Sequence, residues 1–140
     1  MEGVLITPLK RILHPKGDVL HGMKRSDAGY KGFGEAYFST VHAGEIKAWK
    51  KHLRMTLNLV VPLGCIRFYL YDDRLESPSK GQGLRIELGE DHYARLTVPP
   101  GVWLAFEGLG PSVNLLLNVA DMEHDPMEVE RAEIDAFPLN

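Results

Sequence analysis

A dense group of basic side chains in AGEIKAWKKH, residues 43–52, offers the clearest chemistry in this sequence. Lys50 and His52 are two residues apart, so on a β-strand their side chains would share one face. Histidine changes charge near neutral pH and can act as a general base, and lysine can hold a developing negative charge. Lys47 and Arg54 extend the group, and their cationic side chains suit a diphosphate. The competing interpretation is a solvated edge strand, whose charges prevent pairing with another sheet.

Two aromatic residues could add contacts to a ligand. Trp49 could stack on a base or a sugar, although tryptophan is equally plausible in a core or a dimer interface. The segment CIRFYLYDD alternates strictly, which puts Tyr69 on the face opposite Phe68 and Leu70. Tyr69 would supply a phenol if its face lines a cleft, and half-buried packing is the alternative.

The remaining polar residues give no reason to expect a metal ion or another cofactor. The six histidines include no His-x-His pair: His42 and His52 are far apart, and His92 and His124 stand alone. Cys65 is the sole cysteine, so neither an internal disulfide nor a cysteine-built metal site can form. A zinc or iron site made of histidines and carboxylates stays open as the least favoured alternative.

The composition is that of an ordinary globular protein. Apolar residues make up 44% and charged residues 25% of the chain, which suits one domain over residues 1–140. The net charge is -3 with no block of like charges, so nothing indicates nucleic-acid binding. No stretch approaches the roughly 20 apolar residues that cross a bilayer, and the opening segment MEGVLITPLKRIL lacks the features of a secretion signal. We therefore expect a cytoplasmic protein that binds neither nucleic acid nor membrane.

Short runs of β-branched and aromatic residues alternate with glycine and proline turns along the chain. Turn signals at this spacing favour an all-β sandwich or barrel. The runs are MTLNLVV, CIRFYLYD, LRIEL, YARLTV, VWLAF and VNLLLNV. One short helix is expected in the tail, DPMEVERAEIDAF, where Asp125 could cap it and Pro126 suits the first helical position. A frayed acidic tail is the alternative.

Three segments, together with a fourth near the start of the chain, resemble the dTDP-4-dehydrorhamnose 3,5-epimerase family. YDDRLESPSKGQ, residues 71–82, is similar to the family's Asp-x-Arg strand end and its Ser-Pro-Thr-x-Gly turn. VPPGVWLAFEGL, residues 98–109, is similar to its Pro-x-Gly-Phe-Ala-His-Gly-Phe segment. AGEIKAWKKH lies where the family carries Gly-Val-x-Arg-Gly-Leu-His-Tyr-Gln, and GDVLHGM, residues 17–23, is similar to its entry loop. The order and spacing of these segments carry the resemblance.

This resemblance implies a cupin jelly roll of two antiparallel sheets, usually a homodimer, with the active cleft inside the barrel. Family members bind a nucleotide-linked 4-keto-6-deoxyhexose such as a dTDP sugar. A base removes the proton beside the C4 ketone, and an acid returns a proton to the opposite face. No metal is required, because the ketone itself acidifies the neighbouring C–H bond. The expected activity is that of an isomerase in the biosynthesis of deoxysugars and surface polysaccharides.

The family's functional side chains are not reproduced at the matching positions. Aligned without gaps, its basic histidine falls on Lys50, its partner glutamine on His52 and its phosphate-contacting arginine on Lys47. Its active-site lysine falls near Leu57, and the histidine of its second segment falls on Leu104. If the chain is an enzyme of this type, its site must have been rewired.

The family's catalytic tyrosine should lie in or near VNLLLNVADM, residues 113–122, which contains no tyrosine. Asn118 lies closest to that position, and an amide can hold a hydroxyl but cannot deliver a proton. In one interpretation His52 is the base and Lys50 polarises the ketone or holds the enolate oxygen. In the other, the domain is a non-catalytic module that binds a sugar nucleotide, and a related sugar ketoisomerase is a further alternative. The residues expected to contact the substrate are Lys47, Arg54, Trp49, Asn118 and Tyr69.

Overall fold

Antiparallel β-strands form most of the chain in the computed structural model, which describes residues 1–140. In chain order the strands are β1 (Leu5–Pro8), β2 (Arg11–Ile12), β3 (Val19–Leu20), β4 (Glu35–Thr40), β5 (Ile46–His52), β6 (Leu57–Leu63), β7 (Cys65–Asp72), β8 (Gly83–Gly89), β9 (Ala94–Val98), β10 (Val102–Gly108), β11 (Leu115–Ala120) and β12 (Val129–Arg131). The strand runs marked in the sequence are confirmed, since they coincide with β6 to β11. No helix here has the length and apolar composition needed to span a bilayer.

Two five-stranded sheets carry the fold. Sheet A has the strand order β1-β9-β6-β11-β4, and sheet B has the order β12-β5-β10-β7-β8. Strands β2 and β3 form a separate two-stranded ribbon. Every pairing between these strands is antiparallel, and most neighbours within a sheet are distant in sequence, as in a jelly roll. The predicted all-β cupin jelly roll is confirmed.

Alternating side chains of the two sheets meet in a shared core. On β7, Ile66, Phe68 and Leu70 are each at most 1% exposed, as the alternation of this segment predicts. They belong to one cluster with Leu59 and Leu96 of sheet A. Burying a side chain of this size stabilises the folded state by roughly 1.5–3 kcal/mol. This core fixes the two sheets relative to each other, and so fixes the walls of any site between them.

A second apolar cluster lies on the outer face of sheet B. Trp49, Tyr69 and Trp103 point there because their neighbours along each strand point inward. Phe137 from the C-terminal tail covers them, with its ring centroid 4.6 Å from that of Tyr71 and 5.1 Å from that of Trp103. The cluster therefore holds the tail against the back of sheet B.

The predicted C-terminal helix is wrong. The side chain of Asp125 does cap a turn, accepting from the Met127 N–H, but the turn is a single 3-10 turn at Pro126–Glu128. The chain then pairs with β5 as β12, and a second 3-10 turn follows at Ile134–Ala136. The cap signals are correct locally, but the apolar residues that follow them do not form the continuous stripe that would bury one helix face. Edge pairing and aromatic packing therefore decide the conformation.

The turn after β7 is built around Asp72, which is fully buried. Its carboxylate accepts two hydrogen bonds from the Arg74 guanidinium at 2.8 Å, and one each from the hydroxyls of Ser77 and Ser79 at 2.6 Å. Arg74 contributes most to holding the pKa of Asp72 well below its usual range. Because Arg74 also donates to the carbonyl of Glu2, the turn ties the N-terminal segment to sheet B. This motif therefore has a structural role.

Candidate active site

A cleft between the two sheets brings together the side chains that could do chemistry. The space in and around the cleft amounts to about 760 Å³, which includes solvent at its open mouth. Its apolar wall includes Leu57 and Leu59 from sheet A and Leu104 and Phe106 from sheet B. The polar groups reach it from strands β4, β5, β11 and β12, so both sheets contribute. A ligand in this cleft would contact the two sheets at once.

One extra residue in β5 shapes the basic wall of the cleft. Leu104 of β10 pairs with Lys50 of β5, and Phe106 of β10 pairs with Lys47 of β5. Between these two pairs β10 advances two residues while β5 advances three. Such a bulge redirects the side chains beside it. Lys47 and Lys50 therefore both line the cleft, although strict alternation would put them on opposite faces. His52 shares the cleft with Lys50, as the sequence predicted.

His52 is paired with a buried carboxylate from the tail. Its Nδ1 donates to Oε1 of Glu128, whose other oxygen accepts from the backbone N–H groups of Arg54 and Met55 at 3.1 and 3.2 Å. Because an ionised carboxylate can only accept, the proton of the imidazole belongs on Nδ1. The lone pair of Nε2 is then left for the cleft. Glu128, which is 1% exposed, thus selects the tautomer of His52.

Burial and the hydrogen bond together set the charges of this pair. Burial lowers the pKa of His52 below its ordinary value, although the hydrogen bond and the charge of Glu128 oppose that shift. Burial also disfavours the ionised form of Glu128, but the hydrogen bonds from His52 and from two backbone N–H groups outweigh it and lower the pKa of Glu128. At neutral pH the pair is therefore a neutral imidazole beside an ionised carboxylate, which is the state of a general base.

The opposite wall of the cleft carries a phenol. Tyr37 of β4 lies directly opposite Asn118 of β11, and Asn118 Nδ2 donates to the Tyr37 hydroxyl at 3.1 Å. The amide is held in this orientation because its Oδ1 accepts from the backbone N–H of Asn58 at 3.1 Å. The hydroxyl proton of Tyr37 is then free to be donated into the cleft. Tyr37 would donate this proton from sheet A, whereas the base candidate His52 lies on sheet B.

Three cations, Lys47, Lys50 and Arg131, line the same cleft. Arg131 stands directly opposite Lys50 on neighbouring strands, where like charges repel. None of the three forms a salt bridge with a carboxylate. Partial burial, followed by the charges of Arg131 and Lys47, lowers the pKa of Lys50. An anionic ligand would relieve this repulsion. We call Lys47, Lys50 and Arg131 together the cationic rim.

The structure brings together the positions that the family resemblance singled out. All of the following line the cleft: Lys47, Lys50, His52, Leu57, Leu104 and Asn118. The resemblance therefore predicts positions that share one cleft, even where the residue types differ from those of the family. Leu57 and Leu104 stand where the family carries a lysine and a histidine, so the cleft is less polar than the resemblance implied.

Three residues predicted to contact a substrate have their side chains elsewhere. Trp49 borders the cleft, but its indole is 1% exposed, packs in the outer cluster and donates to the carbonyl of Ile134. Tyr69 packs in the same cluster, with its hydroxyl donating to Glu107 at 2.6 Å. Arg54 forms an ion pair with Asp125 at 2.9 Å and is not among the residues that line the cleft. Alternation accounts for the first two, because both occupy outward positions of their strands.

Three side chains that matter to the chemistry of the cleft are not predicted from the sequence: Tyr37 and Arg131, which line it, and Glu128, which pairs with His52. Tyr37 could have been noticed, because in EAYFST it alternates with apolar neighbours and shares a strand face with Ser39. Glu128 and Arg131 lie in the tail, and the helix predicted there gave no reason to place them beside β5. No signal in the sequence indicates that the tail pairs with β5.

The cleft provides a proton acceptor on one wall, a hydroxyl donor on the other and a cationic rim. Such an arrangement suits removal of a proton from carbon and its return from the other side, in a substrate that carries an anionic group. No group of three or more His, Cys, Asp or Glu side chains lies close enough together to hold a metal ion.

Known proteins with a similar sequence or structure act on sugars. The dTDP sugar isomerase from Desulfovibrio desulfuricans G20 shares 40% sequence identity with this chain, and its crystal structure superposes with a TM-score of 0.93. The match covers 96% of this chain and 87% of that one. A probable low-salt glycan biosynthesis epimerase of Haloferax volcanii is 32% identical over 84 residues. That match covers 59% of this chain and 54% of the relative, so it spans about half of that protein.

The fold is shared more widely than the sequence. The dTDP-4-dehydrorhamnose 3,5-epimerase from Sulfolobus tokodaii has a TM-score of 0.85 at 20% identity, covering 99% of this chain and 81% of that one. No protein-family model matches the chain. The resemblance drawn from the three motifs is nevertheless confirmed, because the Desulfovibrio enzyme matches over nearly its whole length. The chain belongs to the family of dTDP-sugar isomerases that share the fold of the dTDP-4-dehydrorhamnose 3,5-epimerases.

Proposed function

We propose that this protein is an epimerase acting on a nucleotide-linked 4-keto-6-deoxyhexose, in the biosynthesis of a surface polysaccharide or glycan. The observation that carries the proposal is the pair of His52 and buried Glu128 in a cleft that also holds three unpaired cations. The names of the relatives support it, since one is a dTDP sugar isomerase and another a probable glycan biosynthesis epimerase.

The cationic rim would bind the diphosphate of the substrate. Lysine and arginine both form strong charge-assisted hydrogen bonds to phosphate oxygens. Lys47 and Arg131 would contact the phosphates, and the negative charge of the diphosphate would also offset the repulsion between Arg131 and Lys50, which face each other across neighbouring strands. The apolar wall, which includes Leu57 and Leu104, then suits the methyl group of a 6-deoxy sugar. The substrate would lie with its phosphates at the rim and its sugar between the sheets.

His52 would begin the reaction as the base. Its Nε2 removes the proton on the carbon beside the C4 ketone, and the electrons of that C–H bond form the double bond of an enolate. Lys50 would donate a hydrogen bond to the enolate oxygen, which stabilises its charge. Glu128 would stabilise the imidazolium that forms, as the third member of a catalytic triad does.

Tyr37 would complete the reaction from sheet A. Its hydroxyl gives a proton to the opposite face of the same carbon, which restores the ketone and inverts the configuration. Asn118 Nδ2, which donates to the hydroxyl, would stabilise the phenolate left behind. Solvent then returns a proton to Tyr37 and accepts the one held by His52, so the enzyme is unchanged after the cycle.

The proposal is tested by incubating the protein with dTDP-4-keto-6-deoxyglucose in deuterium oxide and following the sugar by NMR. We expect deuterium beside the ketone and a new stereoisomer with the carbonyl still at C4. A carbonyl that moves to C3 would instead identify a ketoisomerase. Tight binding of the nucleotide sugar without any exchange would identify the non-catalytic binding module and contradict the proposal. The matched control is His92→Gln, because His92 is exposed and lies outside the cleft.

We propose in addition a homodimer that works in the cytoplasm. The outer face of sheet A supports the dimer, because Phe38 is 65% exposed there and pairs with Leu117 of the neighbouring strand. The single thiol of Cys65, which has no disulfide partner, suits a reducing compartment. Light scattering of the purified protein would measure the mass, and a monomer at micromolar concentration would contradict the dimer.

A further inference from the structure

The last residues of the chain cross the back of the proposed active site. We call residues 129–139 the strap. The strap pairs with β5, and the ladder ends with reciprocal hydrogen bonds between Trp49 and Ala132 at 3.0 and 3.1 Å. The indole N–H of Trp49 then donates to the carbonyl of Ile134 at 3.1 Å. The strap is therefore attached to the same strand that carries His52.

Phe137 is the aromatic anchor of the strap. Its ring is stacked on Tyr71 at 4.6 Å and 21°, and lies 5.1 Å from the ring of Trp103. It also meets Trp49 edge to face at 5.5 Å and 89°. The residues that flank this ring in the sequence, Ala136 and Pro138, are exposed. The ring of Phe137, with Leu139 beside it, thus forms the apolar contact between the end of the strap and the sheet.

Two charged groups of the proposed site lie at the start of the strap, one just before it and one within it. Glu128 immediately precedes it, and Arg131 lies within it. Val129 pairs with His52 and Arg131 pairs with Lys50, so both groups depend on the register of β12. A ladder of only three residues fixes the register of β12 weakly, and the backbone N–H groups of Arg54 and Met55 hold Glu128 only on the side before the strap. The contacts further along the strap hold the register on its other side.

We propose that Phe137 is a positioning residue, which anchors the strap on the outer face of sheet B and thereby holds Glu128 against His52 and Arg131 in the cleft on the inner face. The inference rests on the proposed function for its effect on catalysis, because Phe137 itself touches no substrate. Loosening this anchor lets water reach the pair of His52 and Glu128. It also separates Arg131 from the other cations of the rim.

The titration of His52 distinguishes a loosened strap from a missing carboxylate. Three titratable groups face His52. They are Glu128, directly before the strap, Lys50 on β5, and His124 on the loop that follows β11. Glu128→Gln removes the negative charge and leaves the burial, so the pKa of His52 should fall further. Phe137→Ala admits water, and since burial is the largest cause of the depressed value, the pKa of His52 should rise toward its ordinary value.

The experiment is an NMR titration of the histidine side chains in the full chain. We expect the His52 resonance to titrate at higher pH in Phe137→Ala, at lower pH in Glu128→Gln, and as in the wild type in Phe33→Ala. The last is a matched control, because Phe33 is an exposed phenylalanine that lies outside the cleft and before β4. Phe137→Tyr, which keeps the ring, should restore the wild-type titration.

An unchanged His52 titration in Phe137→Ala, with a lower melting temperature, would overturn the inference and leave Phe137 as a stabilising contact only. If Phe137→Ala does not fold, Phe137→Leu replaces it, and we expect a smaller shift in the same direction. No shift in the folded Phe137→Leu variant would also overturn the inference.

Activity gives the second readout. If Phe137 positions the site, Phe137→Ala should lower kcat/KM about tenfold or more and move the acid limb of the pH profile upward together with the His52 titration. A variant that loses activity with an unmoved pH profile contradicts the inference. A wild-type protein that catalyses neither exchange nor epimerisation contradicts the proposed function instead, and the NMR titration still decides the role of Phe137.

Discussion

The carboxylate of Glu128 meets the imidazole of His52 across 76 residues of sequence, with its second oxygen already occupied by two backbone N–H groups. Those two donors decide which way the carboxylate, or any amide in its place, is oriented. A group held in this way can fix both the ring and the tautomer of the histidine.

Replacing Glu128 with Gln should abolish most of the activity. The backbone N–H groups of Arg54 and Met55 would bind the amide oxygen, so the NH₂ group would face Nδ1 of His52. Nδ1 must then accept, the proton moves to Nε2, and the base is lost. We expect kcat/KM to fall about 10²- to 10⁴-fold. The measurement is the steady-state rate with Glu130→Gln, an exposed neighbour, as the control, and equal rates in the two variants would refute this role.

Tyr37→Phe should separate exchange from epimerisation. His52 still removes the proton, so deuterium should continue to enter the substrate beside the ketone. The opposite face receives no proton from the enzyme, so formation of the epimer should slow by about 10²-fold or more. NMR follows both rates in one sample, with Tyr93→Phe as the control because its hydroxyl binds the carbonyl of His21 outside the cleft. If the two rates fall in parallel, Tyr37 is not the acid.

Removing a cation of the rim should weaken nucleotide binding. Lys47→Ala or Arg131→Ala should each raise the dissociation constant of dTDP about 10- to 100-fold, since hydrogen bonds to charged groups contribute about 1.5–3 kcal/mol. The loss should shrink as salt concentration rises, because the interaction is electrostatic. Calorimetry at two ionic strengths checks this, with Lys51→Ala as the control because Lys51 pairs with Asp73 on the other face of β5. Equal affinities for all variants would contradict a phosphate site at the rim.

Asp72 should make the stability of the protein sensitive to acid. Its pKa is lowered by folding, so its contribution to stability is complete above about pH 4, where the unfolded carboxyl is ionised, and is lost as the pH falls through the folded value. Asp72→Asn should lower the free energy of unfolding by about 2 kcal/mol at pH 7 and by less at pH 3. Urea denaturation at both values measures the difference. The exposed Asp91 offers a control as Asp91→Asn, and a deficit that is equal at the two pH values would disprove the assignment.

The sequence predicts the sheets well because alternation is a local property. In CIRFYLYD the buried positions of Ile66, Phe68 and Leu70 follow from the side-chain period of a strand alone. The same rule correctly places Lys50 and His52 on one face of β5, and both residues line the cleft. It does not reveal which face of a strand is the inner one, so alternation alone does not show that Tyr69 packs on the outer face while Tyr37 lines the cleft.

The tail could not be predicted because its conformation is decided by distant partners. Asp125 and Pro126 are real cap signals, and they do begin a turn. Whether the chain continues as a helix or as a strand depends on the free edge of β5 and on the aromatic cluster, and neither is visible in the tail itself. Glu128 orients the proposed base His52, and it is therefore brought there by tertiary contacts that the local sequence does not reveal.

The most direct test of the whole account compares two quantities for His52→Gln: the rate of deuterium exchange into dTDP-4-keto-6-deoxyglucose and the affinity for dTDP. We predict that exchange falls at least 10²-fold, the usual scale for loss of a general base, while the affinity for dTDP stays within about threefold of the wild type. Exchange at the wild-type rate in this variant would contradict the assignment of His52 as the base.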